Sequence, residues 1–258
     1  MSLARRFAGR GVFAAAAAMV AVAALVAPAG GGPQATGPAA TQPAAATSRP
    51  NLDRFADDVN RFVEWDRRNS FPKDAVLFVG SSSIRLWPTR ESFPQWPVIN
   101  RGFGGSHIVE VNHYFAQVVA PYTARVIVFY AGDNDVAAGT TPEQVRDNFA
   151  EFVRRVRERQ PDTPIVFLSI KPSESRWKHW ARMQQANALV RDLCRQERHV
   201  VFVDVGTPLL GPDGRPRAEL YRQDKLHLSA AGYEVWTREL TPVLHSADAS
   251  ASGTNGER

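Results

Sequence analysis

Cysteine is almost missing from this chain: Cys194 is the single one in 258 residues. One thiol excludes an internal disulfide framework and a cysteine-rich zinc site, and its place in a helical apolar pattern assigns it to packing. Acidic residues are missing from the first 29 positions, which carry Arg5, Arg6 and Arg10. Setting those three arginines aside lowers the formal charge from +5 to +2 (5 − 3 = 2). The basic balance therefore gives no reason to expect a nucleic-acid partner. Large apolar side chains are missing from residues 30–50, a Gly, Pro, Ala and Thr stretch that can build no core and reads as a flexible linker. The same composition marks residues 247–258 as a disordered tail. No internal repeat is present, and the glycine spacing of an EF-hand is absent around Asp133-Asn134-Asp135.

What is present at the N-terminus is a basic start, an alanine-rich apolar run over 11–26, and Ala27-Pro28-Ala29. That is the pattern of an export signal over residues 1–29 with small residues at the cleavage site. An uncleaved N-terminal anchor is the alternative, although an alanine-rich run of this length is marginal for spanning a bilayer. No cysteine follows the run, which argues against a lipoprotein anchor. The expected location is periplasmic or secreted, with a membrane tether through the N-terminal segment as the second reading.

Between linker and tail, residues 51–246 are long enough for one domain with a substantial core. Asn51 is positioned to cap a helix carrying Leu52, Phe55, Ala56, Val59, Phe62 and Val63 at helical spacing. Strands are expected at 75–79, 98–99, 126–130, 165–170 and 200–203. The longer ones are continuously apolar, as strands covered on both faces are. Thr141-Pro142-Glu143-Gln144 reads as a capping box opening a helix that turns Val145, Phe149, Phe152, Val153 and Val156 inward. Further helices are expected over 177–195 and 229–240, the last stopping before Pro242. Alternating strands and helices specify an α/β fold, a three-layer αβα sandwich around a mostly parallel five-stranded sheet.

Open α/β sheets bind ligands at the carboxyl ends of their strands. Here those ends lead into Gly80-Ser81-Ser82-Ser83, Asn100 to Ser106, Ala131 to Asp135 and, beyond the fifth strand, Asp224-Lys225-Leu226-His227. Each has a structural reading by itself: a helix cap, glycines for special backbone angles, an Asx turn, a lone histidine. On one edge they supply a nucleophile, donors for a developing anion, a carboxylate and a base. Gly80 and Ser82 are followed by Ile84, so the Gly-x-Ser-x-Gly elbow of α/β-hydrolases is absent.

In these four blocks and their order the chain resembles the SGNH (GDSL-type) hydrolase superfamily, over the whole domain. The resemblance implies a flavodoxin-like sheet and a serine esterase acting without metal or organic cofactor. It aligns Ser82 with the nucleophile, Gly105 and Asn134 with the second and third blocks, and Asp224 and His227 with the last. It implies an oxyanion hole from the Ser82 N–H, the Gly105 N–H and the Asn134 amide. Ser81 replaces the usual aspartate before the nucleophile, so the choice among Ser81, Ser82 and Ser83 depends on register. Ser81 and Ser83 are expected to cap the following helix and to pack. The expected substrate is a small-molecule or glycan ester; a non-catalytic carbohydrate- or lipid-binding module and an acyltransferase are the alternatives. Trp87, Trp96, Phe103, Trp177 and Trp180 offer stacking faces or core packing, and Arg101, Lys171, Arg176 and Lys225 suggest affinity for an anionic substrate.

Overall fold

A computed structural model of the protein describes residues 51–253, with side chains up to residue 247. The expected export segment, the linker and the tail residues 254–258 lie outside the described residues. Strands β1 (Ala75–Gly80), β2 (Val98–Gly102), β3 (Ala124–Tyr130), β4 (Ile165–Leu168) and β5 (Val200–Val203) form one sheet in the order β2-β1-β3-β4-β5. All four pairings are parallel. β4 ends two residues earlier than the apolar run suggests. The N–H and C=O of Ile170 bond instead to the Asn187 side chain, at 2.8 and 2.9 Å, which takes them out of the ladder.

The period of two along each strand divides the core between the two faces. Leu77, Val79, Ile127, Phe129, Ile165 and Phe167 meet one set of helices: α1 (Ala56–Arg68), α4 (Ile108–His113), α5 (Phe115–Val118), α7 (Pro142–Arg159) and α8 (Trp180–Gln196). Val76, Phe78, Val128, Tyr130, Val166 and Leu168 meet the short helices α2 (Ser82–Arg85) and α3 (Thr89–Ser92) and the long α9 (Ala230–Gly253). The last short helix, α6 (Asp133–Ala137), follows β3. The chain is thus the expected three-layer sandwich.

Local signals hold where side chains satisfy helix ends. Asn51 accepts the Asp53 N–H at 3.1 Å and opens a 3-10 turn that leads into α1. Thr141 and Gln144 exchange their capping bonds at 3.2 and 3.0 Å, and all five apolar residues expected inward from α7 are buried.

One boundary is corrected. α9 does not stop before Pro242 but runs through it to Gly253, so the tail expected from 247 begins as helix. Proline removes the bond to the Arg238 carbonyl, but Arg238 and Pro242 are exposed and water reaches that side. Beyond the proline, Leu244 is buried and Val243 and Ala247 pack on the same cluster, which holds the helix to the sheet.

Candidate active site

β1 ends at Gly80, whose φ of +138° and closeness to Tyr130 admit no side chain; a Cβ there would lie 1.9 Å from the Tyr130 carbonyl oxygen. The chain turns sharply, the Ser81 N–H bonds the Tyr130 carbonyl at 2.9 Å, and α2 starts at Ser82. The Ser81 carbonyl accepts from Ile84 and Arg85 at 3.0 and 3.1 Å. Its hydroxyl, expected to cap, makes no capping bond. Ser81 and Ser83 are both buried, because their side chains turn toward the packed layers while Ser82 turns outward.

Ser82 Oγ lies 3.0 Å from His227 Nε2, and His227 Nδ1 lies 2.7 Å from Asp224 Oδ2. Asp224 Oδ1 accepts the backbone N–H groups of Leu226 and His227, each at 2.9 Å. This turn needs a left-handed residue at Lys225, φ +56°. Burial opposes ionisation of Asp224, but the His227 ring and the two N–H groups outweigh it and hold the carboxyl well below the usual range. An ionised Asp224 accepts from Nδ1–H, which leaves Nε2 as the lone-pair nitrogen facing the Ser82 hydroxyl.

Opposite this chain, Gly105 takes φ +84°, and its carbonyl accepts from Arg54 at 3.2 Å. Ser82 is the first residue of its helix, so its N–H has no intrahelical acceptor. Asn134, in the first turn of α6, donates from Nδ2 to the Ser106 carbonyl at 3.0 Å and accepts at Oδ1 from Arg176 at 2.8 Å. One amide hydrogen of Asn134 is left for another acceptor.

Motif reading missed the groups behind Asn134. Arg176 pairs with the buried Asp133 at 3.1 Å, and the fully buried Lys171 ammonium lies 3.5 Å from the same carboxylate oxygen. Burial lowers the Lys171 pKa, against the attraction of Asp133. Asp135, part of the third block but given no role of its own by it, accepts the Ile108 N–H at Oδ1 at 3.0 Å, tying α6 to α4, and burial pushes its carboxyl up to about 7.

The four cations expected to favour an anionic substrate are already paired. Besides Lys171 and Arg176, Arg101 meets Asp66 at 2.6 Å and Lys225 meets Glu174 at 2.7 Å. Trp87, Trp96 and Phe103 are core residues. Trp177 stacks on Trp180 with centroids 6.1 Å apart, and Arg215 lies 4.2 Å from its ring centre. The Ser106 hydroxyl, next to His107 in the chain, donates to the Phe103 carbonyl at 3.0 Å. A cavity of about 810 Å³ along β2, lined by Trp65, Phe71 and Trp96, contains none of Ser82, Asp224 or His227. A cleft of about 300 Å³, lined by Tyr221, Arg222 and Lys225, adjoins the Asp224–His227 turn.

Comparison with known proteins agrees with this architecture. The model of the GDSL-like Lipase/Acylhydrolase family matches residues 85–235, which takes in Gly105, Asn134, Asp224 and His227 and begins just after Ser82. Human platelet-activating factor acetylhydrolase IB subunit alpha1 is 30% identical over 200 residues, 72% of this chain and 80% of its own. A solved GDSL-like lipase from Bacteroides thetaiotaomicron has a TM-score of 0.63 at 18% identity, over 76% of this chain and 98% of its own. A variant of an acetyl-xylooligosaccharide esterase from Geobacillus Stearmophilus has a TM-score of 0.53 at 13% identity, over 68% and 96%. At such identities the two solved structures speak for the fold. The family match, spanning more than half of the sequence, decides membership: the chain belongs to the GDSL-like lipase/acylhydrolase family and is an ester-hydrolysing enzyme.

Proposed function

We propose that this enzyme removes a small acyl group, of acetyl size, from an ester outside the cytoplasm. Ser82 is the nucleophile, His227 the general base and Asp224 the group that orients the imidazole. The Ser82 N–H, the Gly105 N–H and the Asn134 amide receive the oxyanion. One observation carries this reading: the unbroken chain from Ser82 Oγ to His227 at 3.0 Å and from His227 to Asp224 at 2.7 Å. A serine hydroxyl becomes an effective nucleophile only when a base within hydrogen-bond reach takes its proton.

The reaction then runs in two halves. The Ser82 proton passes to His227 Nε2 as Oγ bonds to the ester carbonyl carbon, and the carbonyl oxygen becomes an anion facing the three donors. Collapse breaks the bond to the alcohol, which leaves with the proton from Nε2. Water attacks the acyl-serine, again giving its proton to His227, and the acid departs as Ser82 recovers its hydrogen. Each oxyanion donor in a comparable site is worth about 2.7–4 kcal/mol. The acetyl preference is supported by the human relative, named an acetylhydrolase, and by the acetyl-xylooligosaccharide esterase on the same fold. Export is proposed from the basic start and apolar run of residues 1–29.

Hydrolysis of p-nitrophenyl esters from acetate to octanoate tests the reading. The expected result is the highest kcat/KM on acetate. Ser82→Ala should lose about 10⁴-fold or more, while Ser81→Ala and Ser83→Ala keep measurable turnover. Turnover surviving in Ser82→Ala and lost in Ser83→Ala would overturn the register. N-terminal sequencing of the exported chain should begin near Gly30; an intact Met1 start in a membrane fraction would favour the tether instead.

A further inference from the structure

Asn134 is held from behind by charged groups that the reaction does not touch. Arg176 donates to its amide oxygen at 2.8 Å, while another nitrogen of the same guanidinium lies 3.1 Å from Asp133. The guanidinium thus hydrogen-bonds Asn134 and forms an ion pair with the residue before it, at the start of α6. Asp133 also faces the Lys171 ammonium at 3.5 Å, and neither Asp133 nor Lys171 has more than a trace of exposure. Burying such charges costs solvation, so a pair of this kind is a poor source of stability; holding one conformation is the better-attested use.

An asparagine side chain is nearly symmetric in shape but opposite in polarity at its two ends. In the orientation found here, the oxygen faces the guanidinium and the nitrogen faces the Ser106 carbonyl at 3.0 Å. Rotation by half a turn would set amide hydrogens against the guanidinium and the amide oxygen against the Ser106 carbonyl oxygen. Both contacts would be repulsive. The guanidinium also draws electron density toward the amide oxygen, which strengthens the N–H groups as donors. A side chain without Arg176 keeps only the Ser106 contact, and the nitrogen can leave the hole.

We propose that Arg176 is a positioning residue that locks the Asn134 amide with its N–H toward the oxyanion, and that Asp133, backed by Lys171, holds Arg176 in place. This rests on the esterase reading above. Arg176 acts through Asn134 alone, so its contribution belongs to the transition state and disappears when Asn134 is removed. Lysine at 176 can reach one of the two partners but cannot present a planar fork to both.

The test is a double-mutant cycle on p-nitrophenyl acetate hydrolysis, with Arg176→Gln, Arg176→Lys and Asn134→Ala alone and combined, the fold checked by circular dichroism. Arg176→Gln should lower kcat about 10- to 100-fold, less than the loss of a whole oxyanion donor. KM should move less than about threefold, the mark of an interaction made only in the transition state. Arg176→Lys should recover part of the loss. In the Asn134→Ala background either change at 176 should cost less than about twofold more. An unchanged kcat in Arg176→Gln, a raised KM with kcat intact, or the full cost persisting without Asn134 would each overturn the proposal. If the Gln variant does not fold, the Lys cycle is read by the same criteria. Wild-type kcat in Asn134→Ala or Ser82→Ala would instead strike the esterase reading itself, so the two failures are told apart.

Discussion

Two carboxyl groups at the sheet edge are pushed in opposite directions: burial dominates at Asp135, and hydrogen-bond donors outweigh burial at Asp224. Asp224 receives two backbone N–H groups and the imidazole, which keep it ionised despite partial burial. Asp135 is buried more deeply, receives the Ile108 N–H, and leaves its Oδ2 without a partner, so its pKa rises to about 7. The folded chain therefore binds a proton at Asp135 that the unfolded chain releases near the ordinary carboxylate value. Its stabilising share is complete below that value and is lost as pH rises through about 7. Urea unfolding at pH 5 and pH 8 should show lower stability at pH 8, and Asp135→Asn should flatten that difference. A slope unchanged in the variant would assign it to other groups. At this scale Asp224 and His227 could be singled out only through the order of all four blocks, and the structure sets them side by side at 2.7 Å. Arg176 and Lys171 were read as cations for an anionic substrate, because their partner, the buried Asp133, is set beside them only by the fold.

Elements were legible where one physical cause acts alone. β1 is announced by five apolar residues and a glycine, and its continuous burial follows from helices on both faces. α7 is announced at its start by a capping box and along its length by a regular apolar stripe. The end of α9 was misread because proline's local cost was weighed without the tertiary contacts beyond it. Leu244 lies past Pro242 and is almost wholly inaccessible. Leu244→Ala should destabilise the domain by about 2–5 kcal/mol with an unchanged denaturant slope. A negligible change would mean that the helix beyond the proline is not docked on the sheet. The four polar segments at the carboxyl ends were legible as a group through topology, although each alone has an ordinary structural explanation.

For the whole molecule, the strand order puts β1 and β3 at the centre of the sheet, so the segments bearing Ser82 and Asn134 leave from neighbouring strands. The Asp224–His227 turn reaches the same edge from beyond β5. Both core clusters are built from residues between Phe55 and Leu244 together with their partly buried neighbours. A chain running from Arg49 to Arg258 should therefore fold and match the full sequence in kcat/KM on p-nitrophenyl acetate. Insoluble or inactive protein would show that residues before Arg49 contribute to the domain. The central claim is that Ser82 and His227 share a proton during ester cleavage, and it is tested most directly by mass-spectrometric mapping after a fluorophosphonate is added. Oγ attack on phosphorus displaces fluoride and leaves a stable adduct on the nucleophile. The expected result is one adduct per chain, located on Ser82, absent in Ser82→Ala and nearly absent in His227→Ala. An adduct on Ser81, Ser83 or Ser106, or labelling that persists without His227, would contradict it.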